Sequence, residues 1–117
     1  MLKGFVPGKI YLATGFTDLR KGIDGLAGIV QERFQLDAFD DALFLFCGRR
    51  TDRIKGLYWD SNGFLLLYKR LEQGRFCWPR SEQEARLITM QQYEWLCNGF
   101  EIEARNKPVK TEGLKFS

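Results

Sequence analysis

The chain has 117 residues, no histidine, three cysteines and a formal net charge of +3. That length suits one domain that buries roughly two-thirds of its unfolded surface, so a core forms without metals or disulfides. The absence of histidine excludes Ser-His-Asp and Cys-His nucleophiles and every histidine metal site. An odd cysteine count without a CxxC pair indicates neither a disulfide framework nor structural zinc.

Residues Lys9 to Ala13 read as a short strand. Residues 1 to 15 hold Lys3 and a few apolar side chains, but Gly4, Pro7, Gly8 and Lys9 interrupt them. There is no signal-peptide core and no window long and apolar enough for a membrane span, so the expected compartment is the cytoplasm. Thr17 or Asp18 can cap a helix. Leu19, Ile23, Leu26, Val30 and Phe34 then recur as one helical face, which predicts a helix through Phe34. Gly22, Gly25 and Gly28 share a line on that helix, where each costs about 1 kcal/mol against Ala. Close approach of another backbone is the expected reason, since the spacing fits neither GxGxxG nor a Walker loop.

Asp37 to Asp41 is a turn-rich connection, and Leu43 to Cys47 is a candidate buried strand with Cys47 as a small core residue. Arg53 to Asp60 and Phe64 to Leu71 flank Ser61-Asn62-Gly63, a hairpin signal. Arg75 to Trp78 reads as a further edge strand stopped by Pro79, and Leu87-Ile88 as a short extended piece. Thr89 caps a helix to about Cys97, closed by Asn98-Gly99. Residues 104–117 read as a mobile charged tail after a domain spanning 1–103. The expected fold class is α+β. It is an antiparallel sheet of about four strands with a central basic hairpin, one long helix packed on the sheet and a short C-terminal helix.

The hairpin carries the functional signal. Arg49, Arg50, Arg53, Lys55, Lys69, Arg70 and Arg75 oppose only Asp52, Asp60 and Glu72 between residues 49 and 79, a local +4 that exceeds the charge of the whole chain. With Asn62-Gly63 as a two-residue loop, Trp59 pairs with Leu66, Leu57 with Tyr68 and Lys55 with Arg70 on one mixed face. Tyr58, Leu65, Leu67, Ile54 and Leu71 form an apolar second face, expected to receive the helix stripe. Lys55 opposite Arg70 sets like charges together, which makes sense where an anion neutralises them. The surface is read either as a polyanion-binding face, with Trp59 and Tyr68 stacking on exposed bases, or as a solvated strand face whose charges discourage aggregation. Seven aspartates, among them Asp18, Asp24 and Asp60, converge in no pattern that would hold a catalytic metal. Cys77, with Arg75 and Arg80 nearby, lacks a base and reads as a plain thiol.

Longer motifs add a resemblance. TDLRKGIDGL (17–26), LFLF (43–46) followed by Arg49-Arg50 and DRIK (52–55), LYWD (57–60), YKRLE (68–72), GRF (74–76) and Trp78-Pro79 stand in one order. They resemble the TnpB, second-open-reading-frame (Orf2-like) accessory family of insertion sequence sixty-six transposons, over about residues 8 to 100. Cys47-Gly48 stands where that pattern often has a polar or basic residue and Asn. The resemblance implies a role in transposition beside a separate DDE-type transposase and another accessory protein of the element, with no cofactor. It supplies no mechanism. The residues read as DNA contacts are Arg49, Arg50, Arg53, Lys55, Trp59, Tyr68, Lys69, Arg70 and Arg75. The rival expectation is an adaptor that docks the transposase through the same surface without touching DNA.

Overall fold

The computed structural model describes residues 4–103. Five strands form one sheet in the order β4-β3-β2-β1-β5. They are β1 (Lys9–Ala13), β2 (Ala42–Cys47), β3 (Arg53–Trp59), β4 (Phe64–Arg70) and β5 (Ala85–Ile88). Helix α1 (Ile23–Gly28) runs straight into a π-helical turn, Ile29–Arg33, and α2 (Met90–Cys97) follows β5. The α+β class holds, but the sheet is mixed rather than antiparallel. β1 pairs parallel to β2, while the other neighbours are antiparallel. A parallel neighbour requires a long crossover, and the segment carrying α1 provides it.

β2 reads ALFLFC and all six residues are buried, because this middle strand is covered on both faces. Leu43, Leu45 and Cys47 face one core with Ile10, Leu12, Ile54, Trp78 and Leu96. Ala42, Phe44 and Phe46 face the other with Leu26, Ile29, Val30 and Leu57. Leu26 and Val30 of the helical stripe are fully buried, and Leu19, Ile23 and Phe34 pack half-buried beside them. The stripe therefore meets Leu57, Phe64 and Leu66, not the expected Ile54, Tyr58, Leu67 and Leu71, which lie in the α2 core. Both hairpin faces are apolar near the turn, so alternation alone does not say which receives the helix. The side taken by a crossover follows from strand order and handedness.

Three local expectations are corrected. The helix begins at Ile23, not at Thr17 or Asp18. Asp18 Oδ1 accepts the Arg20 backbone N–H at 3.0 Å, and its carboxylate also binds the Arg20 guanidinium. Thr17 N–H donates to the Cys47 carbonyl, so residues 17–22 are tied to the end of β2. The glycine line meets no second backbone: a Cβ at Gly22 or Gly28 would touch nothing, and one at Gly25 would meet only the Lys21 side chain. Residues 75–78 form no strand; β5 takes the edge beside β1. They cross the sheet with Phe76 and Trp78 turned inward and Cys77 exposed, and Trp78 Nε1 donates to the Ala13 carbonyl at 2.9 Å.

The hairpin lies at the sheet edge rather than its centre, with β4 outermost. Its loop has four residues, 60–63, and Trp59 pairs with Phe64. The register is thus displaced by two residues from a two-residue Asn-Gly turn, and both faces keep their membership. The left-handed residue of the loop is Ser61, at φ 51°. Thr89 caps α2, Asn98 is the C-cap and Gly99 adopts φ 85°, as the residue pattern predicts; the structure adds a reciprocal Thr89–Gln92 capping box. The tail expected from residue 104 lies outside the described residues.

Candidate nucleic-acid interface

The open end of the hairpin gathers charge by backbone clamping. Loop 48–52 joins β2 to β3, with Thr51 left-handed at φ 59° and its N–H on the Gly48 carbonyl at 3.0 Å. The Thr51 carbonyl accepts the Phe76 N–H, and the Asp52 carbonyl accepts the Leu71 N–H, each at 2.7 Å. These bonds hold segment 71–76 against the loop and bring the Arg75 guanidinium onto the Arg50 carbonyl. Arg49 leans over the Phe16 ring, 5.7 Å from its centroid, a cation–π contact. Arg49, Arg50, Arg70 and Arg75 are exposed and Arg53 is half-buried.

The like-charge pair across the strands is Arg53 opposite Arg70, not Lys55 opposite Arg70; Lys55 faces Tyr68. Directly opposed like charges repel, and two neighbouring acids relieve them. Asp52 bonds Arg53 at 3.2 Å and Glu72 bonds Arg70 at 3.0 Å. Burial pushes the Asp52 carboxyl up, but the Arg53 hydrogen bond and the charges of Arg53 and Arg50 outweigh it, and its pKa ends lowered. The Arg70 guanidinium is raised by its hydrogen bond and charge contact with Glu72. Arg49, Arg50 and Arg75 form no ion pair among the described residues.

The remaining predicted contacts are scattered. Lys55 Nζ donates to the Lys21 carbonyl at 3.0 Å and so fastens the segment before α1. Lys69 lies on the opposite sheet face, across from Ile54. Tyr68 is 52% exposed beside the arginines. Trp59 lies at the closed end of the hairpin, edge-on to Phe39 and Phe64 with centroids 4.9 Å away in each case. The structure thus brings Arg49, Arg50, Arg53, Arg70 and Arg75 together, keeps Tyr68 beside them and leaves Trp59 at the far end. Sequence reasoning missed Phe39, which is 52% exposed; a phenylalanine inside an acidic turn was the available signal.

The Cys47 thiol is pushed up to about 12, first by burial and then by the charge of Asp52. Among the described residues no three Cys, Asp or Glu side chains are grouped to hold a metal ion. No helix among them is long and apolar enough to cross a membrane.

Fold and surface together describe a small α+β protein whose main concentration of charge is an arginine cluster at a sheet edge. Residues 8–107 match the family described as IS66 Orf2 like protein, and the chain belongs to that family. It is an accessory protein of IS66 transposition, from a family with no known catalytic role. Two similar proteins come from Sinorhizobium fredii (strain NBRC 101917 / NGR234). "Uncharacterized protein y4hO" is 40% identical over 93 residues, covering 80% of this chain and 81% of the relative. "Uncharacterized protein y4jC" is 32% identical over 103 residues, covering 87% and 88%. No solved structure matches the chain.

Proposed function

We propose that this accessory protein binds transposon DNA by its phosphates, through Arg49, Arg50, Arg53, Arg70 and Arg75, and does no chemistry of its own. The observation that supports this is convergence: segment 71–76 is clamped against loop 48–52, so that Arg75 meets Arg50 beside the Arg53–Arg70 pair, whose ion-pair partners are Asp52 and Glu72. A rigid cluster of that sign attracts polyanions and loses little side-chain freedom on binding. Tyr68 is the aromatic placed to stack on a base beside the cluster; Lys55 and Lys69 take supporting or remote roles. The test is titration of labelled duplex with purified protein at rising salt. Binding that weakens steeply with salt and is indifferent to sequence is expected, and the same complexes given Mg²⁺ should stay uncut. Absence of binding at low salt overturns the reading.

A second reading has its own observation. The three-ring cluster of Phe39, Trp59 and Phe64 leaves Phe39 half exposed at the opposite end of the hairpin. Such an aromatic anchor fits docking of the cognate transposase or another accessory subunit. The two surfaces are separate, so each is tested without disturbing the other.

A further inference from the structure

The outer edge of β4 is open, and the ladder fixes which of its residues face outward. Asp60 N–H donates to the Gly63 carbonyl and Leu71 N–H to the Asp52 carbonyl, each at 2.7 Å. Both pairs obey the β3–β4 register, so 60:63 and 52:71 are hydrogen-bonded pairs. In an antiparallel ladder bonded and non-bonded pairs alternate. Leu65, Leu67 and Lys69 therefore bond inward to β3, and the N–H and C=O groups of Phe64, Leu66, Tyr68 and Arg70 point outward. Among the described residues no strand pairs with that side.

This edge is protected only at its far end, where Lys69 and Arg70 stand. β4 runs seven residues, without proline and without a break in register. Its first five, Phe64 to Tyr68, are uncharged, and Leu65 and Tyr68 are exposed at 39% and 52%. The other sheet edge, β5, is four residues long and carries Arg86, paired with Glu103.

We propose that a second copy of this chain pairs antiparallel along β4, about a two-fold axis at Leu67. Outward-pointing residues must bond one another, so even-numbered residues must pair with even-numbered ones. The register centred on Leu67 does this over the whole strand: Phe64 meets Arg70 of the second copy, and Leu66 meets its Tyr68. On the other face Leu67 meets Leu67, and Leu65 meets Lys69. Charge selects an antiparallel partner. Both basic residues of β4 lie at one end, while the other end adjoins Asp60, so pairing sets each copy's basic end beside the other's acidic turn. A parallel partner in register would place Lys69 and Arg70 against themselves, which is unfavourable. With the axis perpendicular to the sheet, Arg53 and Arg70 of both copies share one face.

The test uses the full chain and no DNA. Sedimentation or light scattering at up to about 0.1 mM, well above a micromolar Kd, should give twice 13.7 kDa. Tyr68→Pro removes an outward N–H and no bond to β3; it should give a monomer with an unchanged far-ultraviolet spectrum. Leu67→Cys, placed in a Cys77→Ser background because Cys77 is exposed, should oxidise to a covalent dimer. A non-hydrogen-bonded pair sets its Cα atoms about 4.5 Å apart, within disulfide reach. This second measurement decides the matter even if the proline variant unfolds. A monomer throughout the range, with no covalent dimer from the Leu67→Cys variant, overturns the proposal. Cross-linking through Leu87→Cys on β5 in place of Leu67→Cys overturns it as well.

Discussion

Replacing Arg50 and Arg75 together by Ala tests the arginine cluster most directly. Of its five cations, Arg53 and Arg70 face Asp52 and Glu72, while Arg49, Arg50 and Arg75 have no ion-pair partner among the described residues. Three uncompensated cations on duplex phosphates give a slope of log affinity against log salt near −2.7, from roughly −0.9 per phosphate. The double variant should lower its steepness by about 1.8 on the same count. Glu72→Gln should act in the opposite direction. It releases Arg70 from its partner and should steepen the slope by about 0.9. The Glu72 side chain is 77% exposed, and exposed pairs contribute little to stability, so the fold should be unaffected. Fluorescence anisotropy of a labelled duplex across about 50 to 300 mM salt reads both changes. If the double variant keeps the wild-type slope, or Glu72→Gln leaves it unmoved, the cluster is not the DNA surface.

Phe39→Ala should weaken capture of the cognate transposase from solution while leaving the DNA salt slope unchanged; loss of DNA binding instead would join the two surfaces. Gly28→Ala should stabilise the protein by about 0.4–1 kcal/mol in urea titration, because Gly28 has helical φ −60° and an added Cβ meets nothing; destabilisation would reveal a contact on that line. Asp18 is held down to about 2 by the Arg20 side-chain and then backbone hydrogen bonds. A depressed carboxyl contributes stability above its unfolded value of 3.8 and loses it as pH falls towards about 2. Asp18→Asn should therefore flatten the pH dependence of stability within that window, and an unchanged acid limb would refute the assignment.

Where a residue pattern corresponds to a local interaction, it was legible in the chain. Thr89, Asn98 and Gly99 define α2 because caps act over a single turn. The alternation in β3 and β4 sorted the hairpin side chains correctly between two faces, since a shift of two residues changes partners without changing sides. The motifs between Thr17 and Pro79 were specific enough to indicate the family that the comparison establishes.

Tertiary structure decided what depends on distant partners. Asp18 has the chemistry of a helix cap, but Arg20 and the end of β2 take up its segment. The parallel pairing of β1 with β2 places the hairpin at the edge and sets α1 over Leu57 and Leu66. The side chains read as DNA contacts were divided in the same way. Lys55 is drawn to the Lys21 carbonyl and Trp59 into an aromatic cluster with Phe39, while Arg75 is brought to Arg50 from 25 residues away. Composition places those charges in one stretch of chain. Only backbone hydrogen bonds between loop 48–52 and segment 71–76 bring Arg75 to Arg50 beside the Arg53–Arg70 pair, because such bonds depend on strand register and not on the side chains they carry.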